Sequence, residues 1–195
     1  MIRTAEVKRQ TGETTITASL TIDGTGRSEI TTGIGFFDHM LILFAKHGLF
    51  DLNIAAIGDL HIDGHHTVED TGIVLGQTLL KALGDKQGIK RYGTAFVPMD
   101  ESLVMVSLDI SGRPFLAFDV EIPSARIGTF DSELLEEFLR ALAVHSGLTL
   151  HVRLIAGKNA HHIVEGVFKA LGRALDEATS QDKRIVGVMS TKGSL

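Results

Sequence analysis

Asp63-Gly64-His65-His66-Thr67-Val68-Glu69-Asp70 decides how this chain is read, because the chain writes it twice. It returns as Asn159-Ala160-His161-His162-Ile163-Val164-Glu165. Each copy is a pair of adjacent histidines followed three residues later by a glutamate. On a helix, residues four apart share a face, so His65 can meet Glu69 and His161 can meet Glu165. Adjacent helical residues diverge, so His65 and His66 do not readily grip one ion. A His-His-x-x-Glu turn therefore suits a helix that serves two separate metal ions. Imidazole and carboxylate without sulfur are a ligand set for Mn, Fe or Zn. A single His pair is also met in surface turns; its recurrence in a matching helical context argues for ligands.

Working outward, the rest of the chain repeats as well. Ser19-Leu20-x-Ile22-x-Gly24 answers Ser107-Leu108-x-Ile110-x-Gly112, and Gly48-Leu49 is aligned with Gly147-Leu148. Beyond the histidines, Leu75, Gly76 and Leu79 answer Leu171, Gly172 and Leu175. An internal duplication is the simplest account. It divides the chain into pseudo-repeats, 1–93 and 94–195, the second ending in a polar tail, which are expected to make one domain together.

Alternation predicts strands over 3–10 and 14–22 with a turn at Gly12-Glu13, and a short strand over Ser28–Thr31. A helix opens at Phe36-Phe37-Asp38-His39 and stops at Gly48; a strand follows over Leu52–Ile57, then a helix from His66 to about Leu83. The second half reads likewise. A strand over Ser102–Ile110 turns through Ser111-Gly112-Arg113-Pro114 into a partner strand, Phe115–Ile122. Asp131 or Ser132 caps a helix that ends near Gly147. A strand over Leu148–Ile155 and a helix from Ala160 to about Ala178 complete it. The expectation is an α/β (α+β) chain of duplicated strand-strand-helix-strand-helix units, four helices packed over two sheet portions.

Composition narrows the function. The chain has 195 residues, 44% of them hydrophobic, and a net charge of −5, which argues against a nucleic-acid surface. It has no cysteine, so no disulfide framework and no thiolate nucleophile. It opens on polar sequence without a secretory apolar stretch, and no apolar run approaches the roughly 18 residues of a membrane span, so a cytoplasmic location is expected. Nine histidines beside one tyrosine and no tryptophan stand out.

The duplication assigns further candidates. His39 slides opposite Glu137 or Phe138, and of these only Glu137 could be a ligand, so the two sites need not be identical. Glu13, in a turn before a strand, answers Glu101. It is either a solvated turn carboxylate or a general acid/base near the metals. Arg91, Arg113, Lys169 and the tail Ser190-Thr191-Lys192-Gly193 could hold a phosphate. His151 reads as a buried strand residue rather than a partner of the metal ligands. His47, His61 and His145 have no repeat partner and read as surface or packing residues.

At these residues the chain resembles the imidazoleglycerol-phosphate dehydratase family of histidine biosynthesis. The resemblance is carried by Gly33-Ile34-Gly35-Phe36-Phe37-Asp38-His39-Met40-Leu41, both histidine motifs, Ser111-Gly112-Arg113-Pro114, Gly157-Lys158-Asn159, Phe168-Lys169-Ala170 and Ser190-Thr191-Lys192-Gly193. It spans nearly the whole chain, at the length of the single-function form. It implies a duplicated ribosomal-protein-domain-2-like fold, a particle of twenty-four subunits and sites at subunit interfaces. It implies two Mn²⁺ per site, ligated by His39, His65, His66, Glu69, His161, His162 and Glu165. Glu137 stands where some members carry a histidine ligand. It implies phosphate contacts from Arg91, Arg113, Lys169, Ser190 and Lys192, and Glu13 as the acid/base, with Glu165 as a second candidate.

The implied reaction is loss of water from imidazole glycerol phosphate to give imidazole acetol phosphate. It would pass through a metal-bound imidazolate and a diazafulvene-like intermediate. Two alternatives share the motifs. A dinuclear metal-dependent phosphohydrolase would release phosphate. A structural metal-storage assembly would use ions only to join subunits.

Overall fold

The structure is a computed structural model that describes residues 2–195. Its elements run β1 (Thr4–Gln10), β2 (Thr14–Thr21), β3 (Ser28–Thr31), α1 (Gly35–His47), β4 (Asp51–Gly58), α2 (His65–Leu83) and β5 (Tyr92–Met99). They continue β6 (Ser102–Asp109), β7 (Phe115–Asp119), β8 (Arg126–Ile127), β9 (Phe130–Asp131), α3 (Leu134–Ser146), β10 (Thr149–Ala156) and α4 (Ala160–Thr179). This is an α+β fold with two mixed four-stranded sheets, ordered β1-β2-β4-β3 and β5-β6-β10-β7, and a small β8-β9 pair.

The two sheets are copies in register as well as in order. Thr21 pairs with Asp51 in the first and Asp109 with Thr149 in the second, both antiparallel. Each sheet adds one parallel strand, β3 beside β4 and β7 beside β10. Strict alternation drives this. Thr14, Ile16, Ala18 and Leu20 of β2 are buried, as are Ser102, Val104, Val106 and Leu108 of β6.

The helices interlock the repeats. α2 lies on β1 and β2 but packs against α3 of the other repeat; α4 lies on β5 and β6 but packs against α1. Glycine makes both crossings close. A methyl group on Gly76 would sit 2.9 Å from the Leu142 carbonyl oxygen, and one on Gly172 would sit 2.5 Å from the Phe44 carbonyl oxygen. Phe37 of α1 meets Phe138 and Phe168 of the second repeat, with ring centroids 5.3 and 6.4 Å apart, so the halves share one core.

The structure corrects four readings. First, the strand register sets Leu49 (φ 55°), not Gly48, opposite Gly147 (φ 71°). The Phe50 N–H donates to the Ala45 carbonyl as the Leu148 N–H does to Ala143, each at 3.0 Å. The alignment on Gly-Leu was therefore one residue out. His47 and His145 are repeat partners, and His39 stands opposite Glu137. Second, β7 is shorter than expected and pairs with β10, not with β6. The partner of β6 is β5, which hydrophobicity did not reveal. Its buried positions include Gly93 and Ala95 because α4 leaves no room: a methyl on Gly93 would lie 1.8 Å from the Ala174 carbonyl oxygen. Third, neither Asp131 nor Ser132 caps α3: Glu133 stands at the cap position without a side-chain cap bond, and the Asp131 carboxylate is held by Arg126 Nε at 2.6 Å. Fourth, His151 is exposed on β10 beside Phe115, 6.2 Å between rings, and joins no three-donor group among the described residues.

In a helix interior alanine normally gains about 0.5–1 kcal/mol over glycine. At Gly76 and Gly172 it must displace the backbone of a packed helix, an overpacking cost of about 1–3 kcal/mol. Gly76→Ala and Gly172→Ala are expected to lower the denaturant midpoint. Gly12→Ala, where nothing lies within 4 Å of the added methyl, is the control expected to leave it unchanged.

Candidate metal centre

The clearest site forms where α1 and α4 begin. Asn159 caps α4, its side-chain oxygen accepting from the His161 N–H at 2.9 Å and the His162 N–H at 3.3 Å. This fixes the histidine pair on the first turn and Glu165 on the next. α1 and α4 run the same way, His39 facing Glu165 and Phe44 facing Gly172. Parallel packing brings their first turns together. His39 Nε2 and His161 Nε2 approach Glu165 Oε2 at 3.7 and 3.1 Å. One ligand atom from each of the three lies within 4.8 Å of the others, the only such three-donor group among the described residues. The other carboxylate oxygen, Oε1, takes Lys169 Nζ at 2.6 Å. Burial pushes the Glu165 carboxyl up, but the Lys169 hydrogen bond and charge and the His161 bond outweigh it, so Glu165 is held below the usual glutamate range.

The equivalent turn of α2 is built alike but less closed. Asp63 takes the capping place, accepting from the His65 N–H at 2.8 Å. His65 Nε2 stands 3.7 Å from Glu69 Oε2. Glu137, half-buried on α3, does not join these two in a three-donor group.

His66 and His162 point elsewhere. The ring planes of the two pairs are nearly perpendicular, 88° for His65 and His66 and 83° for His161 and His162. Each second histidine is anchored through Nδ1. His66 Nδ1 lies 2.9 Å from Asp59 Oδ2, and His162 Nδ1 lies 2.8 Å from Glu101 Oε2. A carboxylate on Nδ1 fixes the ring and leaves Nε2 as a ligand nitrogen, as around many metals. Both imidazoles are raised above the ordinary histidine value, first by these hydrogen bonds. Asp59 also keeps a buried oxygen, Oδ1, without a partner. Two nitrogens and a carboxylate on one point, with a further carboxylate-anchored histidine at each helix start, fit a divalent transition metal.

The candidate anion residues fall into two places. Lys169 lies beside Glu165. Arg91 lies at the other end of α4, its N–H donating to the Ala178 carbonyl at 2.9 Å. At 1.5 Å per residue, His161 and Ala178 are roughly 25 Å apart. The Arg91 guanidinium is a fork on Asp109, at 2.6 and 3.0 Å, and its third arm holds the Met189 carbonyl at 2.8 Å. That bond docks the tail, where Ser190, Thr191, Lys192 and Gly193 form a turn closed by the Gly193 N–H on the Ser190 carbonyl at 3.1 Å. Arg113 approaches the same Asp109 at 3.8 Å and is largely exposed. Glu13 is exposed, 3.8 Å from His66 Nδ1. Asp59 escaped the sequence reading because it follows β4 in a loop outside any motif. Glu101 was visible only as the repeat partner of Glu13.

Fold and donors together define a duplicated α+β metal-binding enzyme of the histidine–carboxylate kind. The family model for imidazoleglycerol-phosphate dehydratase matches residues 32–175. The chain is 63% identical to the imidazoleglycerol-phosphate dehydratase of Acetivibrio thermocellus over 195 residues, all of both chains. It is 61% identical to that of Clostridium acetobutylicum over 99% of this chain and 98% of the relative. The Staphylococcus aureus enzyme has a crystal structure that superposes with a TM-score of 0.84 at 45% identity, covering 92% of this chain and 99% of that one. The Pyrococcus furiosus enzyme, solved in complex with (S)-C348, gives 0.84 at 41% identity, covering 97% and 100%. The chain belongs to the imidazoleglycerol-phosphate dehydratase family. It is a hydro-lyase of histidine biosynthesis that dehydrates imidazole glycerol phosphate, which sets aside the phosphohydrolase and storage readings. Among the described residues, no helix is long and apolar enough to cross a membrane.

Asp59→Ala frees the His66 ring and is expected to weaken binding of a divalent transition metal by about 10–100-fold. Competition against a chelator measures it. Unchanged affinity would show that Asp59 does not support a ligand.

Proposed function

We propose that each active site holds two Mn²⁺ ions and is completed by more than one copy of the chain in a twenty-four-subunit, cytoplasmic particle. The observation that carries this reading is the separation of the two ends of α4. Imidazole glycerol phosphate is a ring on a three-carbon chain, spanning less than roughly 10 Å at about 1.5 Å per bond. It is too short to join the His161 end of one chain to the Arg91 end of the same chain. Tyr92, Phe96, Phe115 and Ile155 leave apolar surface on the second sheet, between 49 and 61% exposed, which suits self-association.

In this reading His39, His65, His66, Glu69, His161, His162 and Glu165 are the metal ligands, with Glu137 an added carboxylate at the α2 site. The bound ions would hold the imidazole ring by its nitrogens and stabilise the charge that develops on it. The chain's own groups do the rest. Arg113, Lys169, Ser190, Thr191, Lys192 and Gly193 hold the phosphate, with Arg91 fixing the tail, so that the reacting carbons are oriented before any bond changes. The hydroxyl leaves from the carbon attached to the ring and departs as water. A carboxylate takes the proton from the next carbon, so that hydroxyl and proton together leave as water, and the resulting enol gives up its O–H proton as it gains one at the ring-bearing carbon to become the ketone. Glu13 suits the proton transfer better than Glu165. Among the described residues no side-chain hydrogen bond reaches the Glu13 carboxylate, whereas both Glu165 oxygens are engaged, by Lys169 and His161. The repeats 1–93 and 94–195 thus act as one catalytic unit.

Protein stripped of metal and reloaded with Mn²⁺ is expected to form ketone without free phosphate. Glu13→Gln is expected to lower kcat by about 10²–10⁴-fold. Shared sites make a second prediction. His161→Ala and Lys192→Ala chains, each inactive alone, are expected to regain part of the activity when assembled together. Mixed particles as inactive as their parents would place each site within one chain.

A further inference from the structure

The two repeats hold the same turn glutamate in opposite ways. Glu101 is tied by its own carboxylate: Oε2 to His162 Nδ1 at 2.8 Å, and Oε1 to the N–H of Asn159 at 2.8 Å, the N–H of Lys158 at 3.2 Å and the Ser102 hydroxyl at 3.0 Å. Both of its oxygens are engaged in structural bonds. Glu13 is the reverse. Asp59 occupies His66 Nδ1 in its place, and the Glu13 carboxylate is left 57% exposed.

A free carboxylate is useful for proton transfer only if the chain beneath it is fixed, and here it is fixed from below. The Thr11 hydroxyl oxygen accepts from the N–H groups of Glu13 and Thr14, at 3.1 and 2.9 Å. The Thr14 hydroxyl donates to Asp70 on α2, and Arg9 Nη1 donates to the same carboxylate oxygen at 2.9 Å. Asp70 is only 7% exposed and follows Glu69 directly. The second repeat has Gly166 at that place, with Val104 against it and no carboxylate. The repeat that lacks the anchor is the one whose glutamate is bound up.

We infer that Asp70 is the positioning residue for Glu13. Through Thr14 it fastens the Thr11–Thr14 turn to the helix that presents His65, His66 and Glu69. The proton-transfer carboxylate then keeps its place over the substrate without surrendering its own oxygens to structural bonds. This rests on reading Glu13 as the acid/base, and the test separates the two.

Steady-state kinetics and Mn²⁺ content would be measured on metal-loaded Asp70→Asn, Thr14→Val, Thr14→Ser, Glu13→Gln and the Glu13→Gln/Thr14→Val double variant. Asp70→Asn and Thr14→Val are expected to lose about 10–100-fold in kcat, the scale set by displacing a catalytic group by an ångström. KM and bound Mn²⁺ are expected to stay unchanged, and Thr14→Ser, which keeps the hydroxyl, to restore kcat. In the Glu13→Gln background Thr14→Val is expected to cost nothing more. Full activity of Glu13→Gln would remove the acid/base reading and the inference with it. An inactive Glu13→Gln beside an active Thr14→Val would overturn the inference alone. So would lost Mn²⁺ in Thr14→Val, or a loss that adds to that of Glu13→Gln. Should Asp70→Asn fail to fold, the Thr14→Val and Thr14→Ser pair decides.

Discussion

The contact on which the site depends is the one between α1 and α4 at Gly172. There the helix backbones meet closely enough that a single methyl would lie 2.5 Å from the Phe44 carbonyl oxygen. Because the helices run the same way, the packing at Gly172 also sets the approach of their first turns, two to three turns earlier on α4, where His39 meets Glu165 and His161. The metal donors come from opposite repeats, so no half of the chain can assemble them alone. Tight packing there supplies the shared core and the convergence of ligands at once.

The polar logic of the site follows from burial. Glu165 is 7% exposed and could not stay ionised in an apolar setting. Lys169, one turn along α4, keeps it charged from one side and leaves the other oxygen to the histidines. The second histidine of each motif is governed by another carboxylate on Nδ1, and there the repeats part. The second repeat uses the turn glutamate itself; the first uses Asp59 and so releases Glu13. One fold thus carries two kinds of turn carboxylate, one held in structural bonds and one left exposed.

Much of this was legible in the sequence because duplication leaves a periodic record. The doubled His-His-x-x-Glu motif, the paired Gly76 and Gly172 and the alternation of β2 and β6 carry the α+β class and most of the donors. What escaped has physical causes. β5 is lined by Gly93 and Ala95 because α4 presses on it, so no hydrophobic alternation marks it. Asp131 is a good capping residue by type, but Arg126 claims it. Leu49 adopts the left-handed conformation that Gly147 adopts, and a match on glycine identity slid the alignment by one. The convergence of His39 with His161 and Glu165 depends on helix direction and crossing, which neither motif encodes.

A crystal of the Mn²⁺-loaded protein, measured for anomalous scattering at the manganese edge, tests the central claim most directly. The account predicts a peak within about 2–2.3 Å of His39 Nε2 or its partner donors His161 and Glu165, the distance of a bound divalent ion. A manganese peak that none of the three donors reaches, with Glu165 still shared between His161 and Lys169 alone, would contradict it.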